Sequence, residues 1–215
     1  MTAYGALLLF LITKLPETAK YIDPKALQVK KIIQQYSAVL RNQKFILYGL
    51  ACTAWSALLY LYYADAPFIA AHDFHFSTEK YGAVSLITAA GYFIGNLLSR
   101  KLATMTTAQK AIKVGLMTIA LGLMVLSLMV FNIIYWQYLY FIAVAICFAG
   151  GAMVFSNAVA LGLHQASDVA SSSSMFGFIS VLGGMLCTSS LGYFSAPHVG
   201  MFFAIYLCIY LCLAG

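Results

Sequence analysis

The stretch FILYGLACTAWSALLYLYYADA, residues 45–66, decides the fold of this chain. It carries no charged side chain before Asp65, and as a helix rising 1.5 Å per residue it is long enough to cross a hydrocarbon core of about 30 Å. Lipid offers the backbone no hydrogen-bond partner, so such a run must satisfy its N–H and C=O groups internally, as an α-helix does. Pro67 follows and is expected to close the span.

Outward from this segment the pattern repeats. Further spans are expected at about 80–98, 112–132, 137–162, 170–193 and 198–215, preceded by a partial one at 1–14 whose apolar run would rise only about 18 Å. Composition agrees: 63% of the 215 residues are hydrophobic and 8% charged, against about a quarter charged in soluble domains. The expected fold class is therefore an all-α membrane protein, six transmembrane helices plus a partial first one. No length is left for a soluble catalytic domain. Both ends fall in apolar runs, which leads us to expect a fragment or the product of a split gene.

The charges set the topology. Lys14, Lys20, Lys25, Lys30, Lys31, Arg41, Lys44, Arg100, Lys101, Lys110 and Lys113 fall in one set of loops, and Lys80 alone in the other. Basic loops stay in the cytoplasm, so 15–44 and 99–113 are expected inside and the loop around His72 to His75 outside. Within 15–44, Val29, Ile32, Ile33, Tyr36 and Leu40 recur at helical spacing opposite Lys30, Lys31, Gln34, Gln35 and Arg41, the pattern of a helix lying on the membrane surface. The net charge of +6 is spread over loops and forms no nucleic-acid face. The five cysteines all lie in apolar runs and read as small hydrophobes. No cofactor or metal is expected: His72-Asp73-Phe74-His75 has no specific ligand spacing, and His164 with Asp168 lacks a third partner.

Polar side chains inside lipid face other helices or a wet cavity. On the first full span Gly49, Thr53, Ser56, Tyr60 and Tyr63 share an arc of about 80°, and Ser85, Thr88, Tyr92 and Asn96 form a stripe on the next. Two adjacent stripes suit a solvent-accessible pathway, and they suit interhelical hydrogen bonding equally well. Ser173, Gly177, Ser180, Gly184 and Thr188, and the pair Gly91 and Gly95, read as close-packing surfaces, with Gly150-Gly151 in mid-span a similar case. Asp65 is the ionisable side chain nearest to membrane depth, and it is a candidate for ion coupling as well as an ordinary helix-end residue.

Several segments resemble one family in order and spacing. Leu15-Pro16-Glu17-Thr18 with the basic segment ending Leu40-Arg41-Asn42-Gln43-Lys44-Phe45 resembles the central cytoplasmic loop of the bicyclomycin-resistance and chloramphenicol-efflux branch of the major facilitator superfamily. Ala66-Pro67-Phe68-Ile69 is similar to the branch's Ser-Pro-Phe motif at the end of the seventh helix, with Ala66 at the serine position. Gly91 to Lys101 resembles the eighth helix and its basic loop. Asn157 to Leu163 followed by Ala170 to Phe178 resembles the join of the tenth and eleventh. The chain departs from the pattern at Ser171 to Ser174, where the family carries Gly-Ser/Thr-Ala-Ser, and at Asp65 beside the Pro-Phe motif.

The resemblance implies the C-terminal six-helix bundle at 45–215, joined through the loop 15–44 to a sixth-helix remnant at 1–14. It further implies a plasma (inner) membrane protein and a proton-coupled exporter of small amphiphilic compounds that works by alternating access with an N-terminal half outside this sequence. In that fold the seventh, eighth and tenth helices border the cavity. Ser56, Tyr60, Thr88 and Tyr92 are then expected to meet substrate near mid-membrane, Tyr63 nearer the outer mouth and Asn157 nearer the inner one. Trp55, about 140° from Tyr60 on the wheel, is expected off that face. The competing readings are a non-transporting relic or accessory protein and, less well supported, an intramembrane enzyme, for which no nucleophile, base or ligand set converges.

Overall fold

The computed structural model describes residues 5, 6, 10, 11, 14, 29–164, 169–191 and 198–214. Two compact units divide the chain, residues 1–34 and 35–215. The partial span expected at 1–14 and the motif at 15–18 lie almost wholly outside the described residues, as do Asp168 and the side chain of Ala170.

The described chain forms helices only: α1 (Val29–Leu40), α2 (Gln43–His72), α3 (Thr78–Met105), α4 (Ala108–Val130), α5 (Gln137–His164), α6 (Val169–Leu191) and α7 (Val199–Ala214). Five of them, α2 to α6, contain segments long and apolar enough to cross a membrane, and α7 is a shorter apolar helix. The chain is thus a multi-pass α-helical membrane bundle.

Helix starts follow local chemistry. Asn42, Ser77 and Thr107 are extended N-caps whose side-chain oxygens accept from Lys44 and Phe45 (3.1 and 3.3 Å), Lys80 (3.3 Å) and Lys110 (3.4 Å). The spans extend further than hydropathy suggests. α2 continues through Pro67 to His72, and α3 carries Arg100 and Lys101 within the helix before ending at Met105. Pro67 removes one backbone donor without halting the helix, a loss that membrane helices tolerate when neighbours re-satisfy the freed groups.

α5 is the hub. Most of its length from Tyr140 to Gly162 is buried, with α2, α3 and α4 packed around it, α6 against α2, and α7 across α4 and α2. Small residues make the approach possible. A Cβ on Gly91 or Gly95 would run into the backbone of Ala145 or Ala149, one on Gly115 would meet the Gly150 carbonyl at 2.7 Å, and one on Gly122 would meet Cys147. On α1, Val39 is buried with Phe45, Cys52, Ala158 and Phe176, whereas Ile33 and Leu40 stand exposed.

Candidate functional site

α2 and α3 both pack along α5 and scarcely touch each other through their backbones, so side chains bridge the space between them over α5. Three pairings mark it. At the end near the 73–77 turn, the buried Thr88 hydroxyl donates to the Ser85 carbonyl (2.7 Å), so the 3.1 Å bond it shares with Tyr62 has Tyr62 as donor. In the middle, the Trp55 and Tyr92 rings lie parallel within 3°, centroids 6.4 Å apart. Toward the 106–107 turn, Asn157 donates to Ser99 (2.9 Å) and to the Met153 carbonyl (2.8 Å). Ser156 donates to the Ala152 carbonyl (2.8 Å), which leaves Ser99 to donate to Ser156 (2.8 Å).

The two expected stripes do not face each other. Tyr60 lies against Gly184 of α6, with the Ser56 backbone beside it, and the Thr53 hydroxyl reaches both the Gly49 and Ile179 carbonyls (3.0 and 3.3 Å). On α6, Gly183 and Gly184 supply this seam, while Gly177 meets open space. Ser56 and Tyr60 are half-buried at the seam, and Tyr63, 60% exposed, stands clear of it. Thr88 and Asn157 are buried, held by partners on α2 and α3 respectively. Tyr92 stays 37% exposed and rests on Trp55, so Trp55 belongs to the Tyr92 side of the site. Its place opposite Tyr60 on α2 is what points it at α3 and α5.

Asp65 is half-buried on α2, with no hydrogen-bond or ion-pair partner among the described residues. Asp73 is engaged instead: it faces His198 (3.3 Å) and accepts from the Val199 backbone (3.3 Å), which ties the α2 end to the start of α7.

Sequence reasoning missed Trp55, Tyr62, Ser99 and Ser156. One signal was available for Trp55, because Gly151 exists where its indole sits and any Cβ there would overlap the ring. Phe148 meets Trp55 edge-on (5.3 Å) and Tyr62 likewise (5.1 Å), and this fixes both rings against α5. The arrangement offers rings and hydroxyls without a charged group in its middle, which suits binding and supplies no nucleophile or base. An apolar cavity of about 630 Å³ lies elsewhere, between α2, α6 and α7, lined by Leu50, Ala54, Ala57, Cys187, Cys208 and Cys212.

Comparison with known proteins bears on what this bundle is. Residues 1–188 match the family model described as Major Facilitator Superfamily. The chain is also similar to proteins named multidrug transporter MdfA from Escherichia coli O6:H1, Escherichia coli O157:H7 and Shigella boydii serotype 4, each 32% identical over 111 residues. The match takes in 52% of this chain and 27% of each relative, so it spans about a quarter of their length. With a helical bundle centred on α5 and a family match that runs through α2 to α5 and most of α6, the chain belongs to the Major Facilitator Superfamily.

Proposed function

We infer that the chain is the C-terminal six-helix part of a secondary transporter that exports small amphiphilic compounds from the cell, within the bicyclomycin-resistance and chloramphenicol-efflux branch. The observation that carries this reading is the chargeless α2/α3 seam over α5, a mid-span surface of rings and hydroxyls. Such a surface binds apolar compounds with few polar groups. The relatives named multidrug transporters favour the same substrate class. Of the residues expected at the site, Ser56, Tyr60, Tyr63 and Tyr92 are those open enough to touch a substrate, while Thr88 and Asn157 hold the walls.

In this reading the fold's other six helices complete the cavity, the membrane is the plasma (inner) membrane, and export is driven by protons. Asp65 is the carboxylate set deepest in the spans described and is our candidate within this chain for carrying the proton. A non-transporting relic or accessory role is the second reading.

Accumulation of a fluorescent amphiphile in cells separates them. The chain expressed alone should not lower accumulation, and co-expression with an N-terminal half of the same branch should lower it. Asp65→Asn in that pair should leave residual export insensitive to the imposed pH gradient. Accumulation unchanged by the reassembled pair, with both parts in the membrane, refutes the transporter reading.

A further inference from the structure

We propose that the groove between α6 and α7, floored by α2, binds one anionic phospholipid, with an acyl chain in the groove and the phosphate at Lys44. This goes beyond the transport reading and does not depend on it. The two walls share no backbone contact among the described residues, while each packs on α2. Between them lies the cavity of about 630 Å³, within the range of ordinary ligand pockets. Its floor is one stripe of α2, Leu47, Leu50, Ala51, Ala54 and Ala57, which runs about 15 Å along the helix.

Depth selects the occupant. The stripe starts one turn inside a helix long and apolar enough to cross the membrane. No charged side chain lines the cavity, and the Thr53 hydroxyl in its wall is spent on the Gly49 and Ile179 carbonyls. Apolar cavities stay dry, and an empty one forfeits the contacts its lining could make. The medium that meets this groove is hydrocarbon, and Leu50, Cys187, Cys208 and Cys212 stand exposed to it. An acyl chain fills such a groove without desolvating any polar group.

Charge selects the headgroup. Lys44 lies one turn before Tyr48 and about 20° from Ala51 around the helix, so it stands at the end of the stripe. It is exposed and has no carboxylate partner among the described residues. Ile112 brings α4 to the same cavity, and Lys110 and Lys113 flank it, both exposed. No Asp or Glu lies on α4, α6 or α7, and on α2 Asp65 is twenty-one positions from Lys44, about 32 Å along the helix. This end of the groove therefore favours a phosphate and repels a cationic amphiphile. Tyr48, half-buried in the lining, has the polar tip and apolar ring that suit headgroup level.

The test uses the whole chain in nanodiscs. Phosphatidylglycerol with a diazirine in its acyl chain is photolysed, and the adducts are mapped by mass spectrometry. They should concentrate on residues 47–57 and 208–214 over other helix surfaces. Lys44→Gln should lower the yield there about fivefold, the worth of one lysine at an anionic membrane surface. The matching phosphatidylcholine probe should give a similarly lower yield. Ala54→Phe fills the groove and should abolish these adducts while those elsewhere persist, with thermal unfolding reporting that each variant folds. Lys44→Gln, at an exposed position, carries the test if Ala54→Phe does not fold.

Adducts spread evenly over the helices, equal labelling by the two headgroups, or a yield that Lys44→Gln leaves unchanged would each overturn the proposal. Dimers cross-linked through Cys208 at the expense of the adducts would overturn it too, by seating a second copy of the chain in the groove.

Discussion

Individual glycines show how much of this bundle depends on a missing side chain. Gly95 places its backbone directly on Ala149, so an added Cβ must push two helices apart, whereas Gly82 on the same helix α3 faces open space. Gly95→Ala is expected to destabilise by about 1–3 kcal/mol, the usual cost of overpacking. Gly82→Ala should be neutral or stabilising by up to about 1 kcal/mol, from helix propensity alone. Thermal unfolding in detergent should separate the two variants by several degrees, and equal midpoints would contradict the packing described. Trp55 teaches a related lesson at the site. Its wheel position was legible, but which neighbour that face meets depends on the order of helices around α5, and periodicity carries no information on that order.

Among the elements, α5 and α7 differ in how they are held. α5 is gripped over nearly its whole surface, whereas α7 depends on a few aromatic contacts: Phe202 meets Tyr140 of α5 edge-on with centroids 5.4 Å apart, and the Tyr206 hydroxyl donates to the Leu58 carbonyl of α2 at 2.7 Å. That carbonyl sits inside a helix and accepts the ordinary intrahelical bond as well, so Tyr206→Phe should cost only about 1 kcal/mol. Tyr206→Ala empties a ring-sized space between helices and should cost about 3–5 kcal/mol. If both substitutions lower the unfolding midpoint equally, the hydroxyl and not the ring holds α7.

The spans were legible at this scale because lipid leaves the backbone one solution per apolar run. Their ends were less so. Pro67 signals a stop in water yet sits inside α2, and the caps Ser77 and Thr107, not the change in hydropathy, set where α3 and α4 begin. The stripe of Thr53, Ser56 and Tyr60 was found, but its partner is the Gly183-Gly184 seam of α6. Of the two uses such a stripe has, interhelical bonding holds for Thr53.

For the whole molecule, charge and fold make joint demands. The proposed topology sets eleven of the twelve Lys and Arg on one side of the membrane; Lys80, assigned to the other, lies over the rings of Phe76 and Tyr138 (3.9 and 5.6 Å). In a background without the five native cysteines, Glu79→Cys should be modified from outside intact cells by an impermeant maleimide, and Gln109→Cys spared. The reverse labelling would invert the proposed topology.

The central claim is that the Ser56 and Tyr60 face of α2, beside α6, borders a path that opens to each side of the membrane in turn. Ser56→Cys tests it most directly, since the substitution is nearly isosteric and the position is half-buried in mid-span. In the reassembled pair, without other cysteines, the thiol should react with impermeant maleimide from both sides, in inverse proportion as the pH gradient is reversed, and substrate should slow both reactions. A thiol that reacts only with lipid-soluble reagents, at a rate that substrate leaves unchanged, would contradict the account.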